Sequence, residues 1–205
     1  AGCASGEEPY SLAIALLEYQ AHHGEFEAEV IATDIDQHAI AAACQRRYGE
    51  RAVRRVPDAI LEKYFDFDGQ TYRLIPEVAQ LVRFKVHNLV RDDRPPDLYN
   101  LDVVFCRNVT IYFTESARDR VNILLADSLR EGGYLFVASA EAIGHNLGRL
   151  EPVSTGQTLL FQKQQPSTAP SPSFPGTGAS APPPDPSSRL PDSQLGTLPA
   201  RKGGL

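Results

Sequence analysis

Glu29-Val30-Ile31-Ala32-Thr33-Asp34-Ile35-Asp36 decides the fold. Its apolar, β-branched run has the length and composition of a short buried strand, and it stops on two acids. Asp36 stands where a helix N-cap belongs, ahead of a helical stretch through Ile40 to Arg46. A buried strand that feeds straight into a helix is half of a βαβ repeat. Upstream, Leu12, Ala13, Leu16, Leu17 and Tyr19 recur at close to helical spacing between Glu8 and about His22. Pro9 falls in the first turn of that helix, where a missing N–H costs little.

Downstream the alternation continues. Pro57 to Phe65 holds a short helix, and Phe65 to Ile75 centres on the hairpin signal Asp68-Gly69, flanked by Phe67, Tyr72 and Leu74. Leu81–Val86 and Leu101–Cys106 read as strands, and Thr114–Arg130 as a helix ended by Gly132-Gly133. Tyr134–Ala138 is another strand, and Gln157–Gln162 a last, antiparallel one. Strand and helix in alternation predict an α/β domain with a mostly parallel sheet. The hairpin is out of pattern and predicts a small antiparallel β-subdomain, about residues 57–80, inserted at the sheet edge.

The 205 residues, 42% apolar and 22% charged, suffice for one domain with a real core. Twenty Lys+Arg against 26 Asp+Glu give a net charge of −6, which argues against a general nucleic-acid binder. No apolar run approaches the ~18 residues of a membrane span, so no membrane insertion is expected. Cys3, Cys44 and Cys106 are odd in number and lack metal-ligand spacing, so reduced thiols in a cytoplasm and no metal site are expected. From Pro166 to Leu205 there are 10 Pro, 7 Ser and 5 Gly, with Phe174 the only aromatic residue. Such a stretch cannot offset its ordering entropy. Residues 165–205 therefore read as a disordered Pro/Ser-rich tail or linker, and residues 1–164 as the folded part. The sequence lacks methionine and opens as the inside of a loop, so the domain is expected to be N-terminally truncated.

Ligands of open α/β sheets bind beyond the carboxyl ends of the strands, and four segments fall there. Ala1-Gly2-Cys3-Ala4-Ser5-Gly6-Glu7-Glu8 lets a backbone approach a ligand closely, but two carboxylates would repel a pyrophosphate at the helix N-terminus. A ligand with a cationic centre and hydroxyls suits the loop; alternatively Glu7 and Glu8 only complement the helix dipole. Asp34, ending the second strand of such a sheet, can accept hydrogen bonds from a ribose diol; alternatively both Asp34 and Asp36 are caps. Asn88 can pair with an adenine edge, with Leu89 as an apolar wall. Arg107 and Asn108 end an apolar strand and cannot be core residues without partners; they serve a site or a buried network.

Taken together, Gly2-Cys3-Ala4-Ser5-Gly6-Glu7-Glu8-Pro9-Tyr10-Ser11, Ala32-Thr33-Asp34-Ile35-Asp36, Asn88-Leu89 and Cys106-Arg107-Asn108-Val109-Thr110-Ile111-Tyr112-Phe113 strongly resemble the CheR-type chemotaxis receptor methyltransferases. Order and spacing agree across residues 1 to about 164. The resemblance implies a Rossmann-like, S-adenosylmethionine (SAM)-dependent methyltransferase domain. The implied reaction makes methyl esters on glutamate side chains of bacterial chemoreceptors. On this resemblance Gly2, Gly6 and Glu7 hold the methionine part of SAM, Asp34 the ribose, and Asn88 and Leu89 the adenine. Arg107 and Asn108 border the donor methyl, and Tyr112 faces the incoming glutamate. The partners implied are the cytoplasmic helices of a chemoreceptor. In some members the β-subdomain also docks a tether peptide at the receptor C-terminus.

The sequence departs from the family at three places. Ala4-Ser5 replaces the usual Ser-Thr, and Ala138-Ser139-Ala140-Glu141 replaces Gly-His-Ser-Glu. The family's N-terminal helical domain, with its arginine near the methyl group, and its first strand do not appear in the sequence. These departures keep open a second function, a non-catalytic SAM- or receptor-binding signalling module. A nicotinamide dehydrogenase would need a Gly-x-Gly-x-x-Gly turn, and Glu7 and Glu8 oppose its pyrophosphate. The chemistry itself needs little. A glutamate carboxylate, with a reference pKa near ~4.3, is already a nucleophile at neutral pH. Alignment can contribute roughly 7–11 kcal/mol, helped by exclusion of water. No acid–base dyad is called for, and His22, His23, His38, His87 and His145 read as surface or structural residues. Neither Cys3 nor Cys106 has a paired His in its motif, so no thiol nucleophile is expected.

Overall fold

The computed structural model describes residues 1–138, 141, 149–154 and 159–164. The expected tail (residues 165–205), Ser139, His145 and the start of the last expected strand at Gln157 and Thr158 lie outside these. The chain runs α1 (Glu7–His23), β1 (Val30–Asp34), α2 (Gln37–Gln45), β2 (Arg47–Tyr48), α3 (Glu50–Val53), α4 (Asp58–Tyr64), β3 (Phe65–Phe67) and β4 (Tyr72–Leu74). It continues with α5 (Pro76–Gln80), β5 (Val82–Val86), β6 (Leu101–Cys106), a 3-10 turn (Thr110–Tyr112), α6 (Glu115–Ser128), β7 (Leu129–Val137), β8 (Leu150–Ser154) and β9 (Leu159–Lys163).

The expected α/β alternation is present. β1 pairs parallel with β5, from Val30↔Val82 to Asp34↔Val86. β6 pairs parallel with β7 through the crossover helix α6, and β9 then β8 extend that sheet antiparallel in the order β6-β7-β9-β8. The crossover from β1 to β5 carries the inserted antiparallel sheet, order β2-β4-β3. Its turn is built by Asp68, whose carboxylate accepts the amides of Thr71 and Gln70 at 2.8 and 3.0 Å and an Arg47 guanidinium N–H at 2.6 Å. These bonds, Thr71 first, hold the Asp68 carboxyl far below its usual range. Among the described residues β1 and β6 do not pair, and a cavity of about 990 Å³ lies between them.

Three apolar clusters hold these layers. α1 buries Tyr10 and Ala13 against Tyr48, Leu74 and Val78 of the inserted sheet and α5. α2 places Ile40 against Ala32 and Cys3. α6 packs Val121 and Leu125 onto Val104, Cys106, Leu135 and Phe161. Both longer crossover helices start where a side chain caps them: Asp36 accepts the His38 amide at 2.8 Å, and Thr114 accepts from Ala117 at 3.4 Å.

One boundary differs from expectation. α6 ends at Ser128, and Gly132-Gly133 does not cap it; the chain passes through an extended Leu129 directly into β7. Gly133 serves a different need. A Cβ there would sit 3.0 Å from the carbonyl oxygens of both Arg130 and Leu101, so a side chain would crowd the backbones beside the irregular β6–β7 register. The short β2, α3, α5 and β8 were also not anticipated.

Replacing Leu135, which is fully buried in the β6–β7 cluster, with Ala is expected to cost roughly 2–5 kcal/mol in urea unfolding. Asp36→Ala, which loses only an N-cap, should cost about 1 kcal/mol. Equal effects of the two would contradict this placement of the core.

Candidate functional site

The opening loop is fastened at one end of the parallel strands by backbone bonds. The amides of Gly2 and Cys3 both donate to the Thr33 carbonyl, at 2.8 and 3.0 Å, and the Ala1 amino group donates to the Phe105 carbonyl at 2.7 Å. The loop thus spans the tips of β1 and β6. Two glycines make this path possible. Gly2 (φ 71) lies so close to the Val109 side chain that a Cβ would overlap it. At Gly6 (φ 92) a Cβ would fall 2.9 Å from that of Ala43. Tyr48 reaches from the inserted sheet to donate its hydroxyl to the Ser5 carbonyl at 3.0 Å, and burial pushes that phenol well above its usual pKa.

The four segments singled out from the sequence come together here. Asp34 joins the first two: its Oδ2 accepts the Ala4 amide at 2.8 Å and its Oδ1 the Asp36 amide at 2.9 Å. The His87 amide donates to the Asp34 carbonyl at 2.9 Å and brings in the third. The fourth is joined by the Gly2–Val109 contact and by Arg107, whose Nη1 donates to Glu8 Oε2 at 3.1 Å. Glu7 is held by the Ser5 hydroxyl at 2.7 and 3.0 Å, and Leu89 is buried in the β6–β7 core.

Some side chains are engaged differently from the simplest expectation. Asn88 turns its Oδ1 back onto the amides of Val90 and Arg91, at 3.0 and 3.2 Å, so only its amide nitrogen is left for a ligand. Tyr112 is 81% exposed on the 3-10 turn. His87 is buried, which lowers its pKa and keeps the ring neutral. Burial also pushes the thiols of Cys3 and Cys106 up to about 11, so both are protonated at neutral pH.

Sequence reasoning gave no role to Glu141. Its side chain is buried, and it receives the amides of Asn108 (2.8 Å), Val109 (2.8 Å), Thr110 (2.7 Å) and Ala138 (3.1 Å) and the Thr110 hydroxyl (3.0 Å). Burial alone would raise its pKa; the amides of Asn108, Ala138 and Thr110 and the Thr110 hydroxyl outweigh it, and the carboxyl lies below its ordinary value. The hints in the sequence were an acid shortly after an apolar strand and its match to the Glu of the family's Gly-His-Ser-Glu.

A family profile, the SAM-binding domain of CheR methyltransferases, matches residues 1–158. The chain belongs to the CheR methyltransferase family. Chemotaxis protein methyltransferase 2 of Vibrio cholerae is 38% identical over 143 residues, 69% of this chain and 49% of that protein. Chemotaxis protein methyltransferase 1 of Pseudomonas aeruginosa is 34% identical over 167 residues, 79% of this chain and 60% of that protein. This CheR chain thus spans about half to three-fifths of the length of these relatives. A solved TehB-like SAM-dependent methyltransferase from Corynebacterium glutamicum, 17% identical, aligns with a TM-score of 0.44 over 79% of this chain and 75% of that chain.

SAM is the cofactor of this family's domain, and the loop chemistry fits it. A glycine-permitted backbone cradle carries the carboxylates of Glu7, Glu8 and Asp34, groups whose chemistry suits a ligand with positive charge and hydroxyls. A cysteine nucleophile has no place in such a site. At pH 8, Cys44 is exposed and should react promptly with a disulfide reagent, whereas the buried Cys3 and Cys106 should react only on unfolding. Thiol counting with and without denaturant checks this; three prompt thiols would contradict it.

Proposed function

We propose that the protein carrying this domain transfers methyl groups to glutamate side chains of chemoreceptors. The observation that carries the reading is the meeting of the Gly2–Glu8 loop, Asp34, the His87–Leu89 turn and Arg107–Tyr112 at one end of the strands. The relatives' chemotaxis methyltransferase names support the process, and the family resemblance supports the glutamate acceptor.

In this reading residues 1–164 form the methyltransferase domain, followed by a tail. Gly2, Gly6 and Glu7 hold the methionine end of SAM. Asp34 keeps lone pairs free beyond its two amide bonds, and these accept from the ribose. Asn88 Nδ2 and Leu89 line the adenine. When bound, SAM supplies an activated methyl group on a sulfonium. The acceptor carboxylate is ionised at neutral pH, so the protein has only to place it in line and keep water away. Arg107 can exchange Glu8 for that carboxylate, with Asn108 beside it. Tyr112, open to solvent, meets a macromolecular substrate without a channel. The substrate is a cytoplasmic helix of a chemoreceptor, and the β2-β4-β3 sheet is the place for a receptor C-terminal peptide. No helix among the described residues is long and apolar enough to cross a membrane.

Incubation with methyl-labelled SAM and chemoreceptor membranes should give base-labile methyl esters. SAM binding without transfer would favour the non-catalytic module. Asp34→Ala should weaken SAM binding by about 1–3 kcal/mol, roughly 5- to 150-fold, in calorimetric titration. Unchanged affinity would remove Asp34 from the ribose site.

A further inference from the structure

We propose that Glu141 is the positioning residue of the methyl-transfer site, fixing the Arg107–Thr110 loop by gathering its three consecutive amides onto one carboxylate. This rests on the function proposed above. Arg107 and Asn108 must be placed relative to the loop that holds the cofactor, yet they follow the last residue of β6, where the sheet no longer fixes the backbone. Asn108 is also in the left-handed region, φ 60, a conformation that asparagine tolerates better than most residues and that turns the chain sharply at this point.

Glu141 fixes this turn in place. Oε2 takes the Asn108 amide and Oε1 the amides of Val109 and Thr110, so the bond pattern closes over the turn at Asn108. Oε2 also takes the Ala138 amide just past β7, which ties the loop to the neighbouring parallel strand. A carboxylate offers about four lone-pair sites, and five donors leave none to spare. The donors are amide dipoles and a hydroxyl. Arg107 therefore keeps its charge for Glu8 or for an incoming carboxylate. Val109, held by the same carboxylate, is the residue whose side chain lies against Gly2. The anchoring thus sets the distance between the acceptor side of the site and the cofactor loop.

No other acceptor of the right shape replaces Glu141. In Glu141→Gln one oxygen becomes an NH₂ that faces amides, so at least one pair of N–H groups loses its acceptor. In the intact protein, Glu141→Gln is expected to lower kcat by about tenfold or more, the scale of a misplaced reacting group, while the Kd for SAM changes by less than about threefold. Hydrogen exchange should quicken at the amides of Asn108, Val109 and Thr110 and stay unchanged along β1 and β5. A folded variant with unaltered kcat and unaltered exchange at those amides would overturn the proposal. So would a parallel loss of kcat, SAM affinity and global protection, the mark of a merely structural residue. Should Glu141→Gln not fold, Thr110→Val removes one of the five bonds and is read in the same exchange window. If the unmodified protein transfers no methyl group, the proposed function fails on its own, and the exchange measurement still decides whether Glu141 holds the loop.

Discussion

One carbonyl oxygen, that of Thr33, accepts the amides of both Gly2 and Cys3, and the site depends on this shared bond. Among the described residues the β1–β5 pair and the β6–β7 sheet share no ladder. The opening loop reaches both, meeting β1 through Thr33 and β6 through Phe105. A carbonyl has two lone pairs, so the double use is unstrained. What it demands is a residue without a side chain at position 2, because Val109 already fills that space.

Asp34 and Glu141 extend the same logic to side chains. Each is an acid near the end of a strand, and each takes backbone amides from another segment. An ionised acceptor makes stronger hydrogen bonds than a neutral one and favours its own charged state in return. The difference lies in saturation. Asp34 takes two amides and retains capacity for a ligand, whereas Glu141 is filled by protein donors. Two carboxylates of similar appearance in sequence thus divide into one with accepting capacity to spare and one without.

The elements with a long enough pattern were legible before any coordinates. The Val30–Asp34 strand, the Asp36 cap, the Asp68-Gly69 turn and the Leu101–Cys106 strand all lie where residue pattern put them. That four loop segments stand apart from the core was legible because each joins a strand end to polar or glycine residues that a core would reject, and the structure brings them together. What escaped is short or tertiary in origin. β2 has two residues and α3 four, too few to show a period. Gly132-Gly133 resembles a helix stop, yet the crowding at Gly133 comes in part from Leu101 and Asp102, far away in the chain. Nothing near Asn88 in the sequence reveals that its oxygen folds back on its own turn, and nothing near Glu141 reveals three amides waiting more than thirty residues earlier.

The inserted sheet leaves and rejoins the domain between two strands in fixed register, an arrangement that would ordinarily let an appendage drift freely over evolutionary time. Tyr48 restricts that freedom. Because its hydroxyl anchors Ser5 and its ring packs edge-on to Tyr10, the root of the appendage is pinned to the opening loop. The outer hairpin around Asp68 has open space at Gly69, whereas the two-residue strand beneath it is tied through Tyr48 to the opening loop.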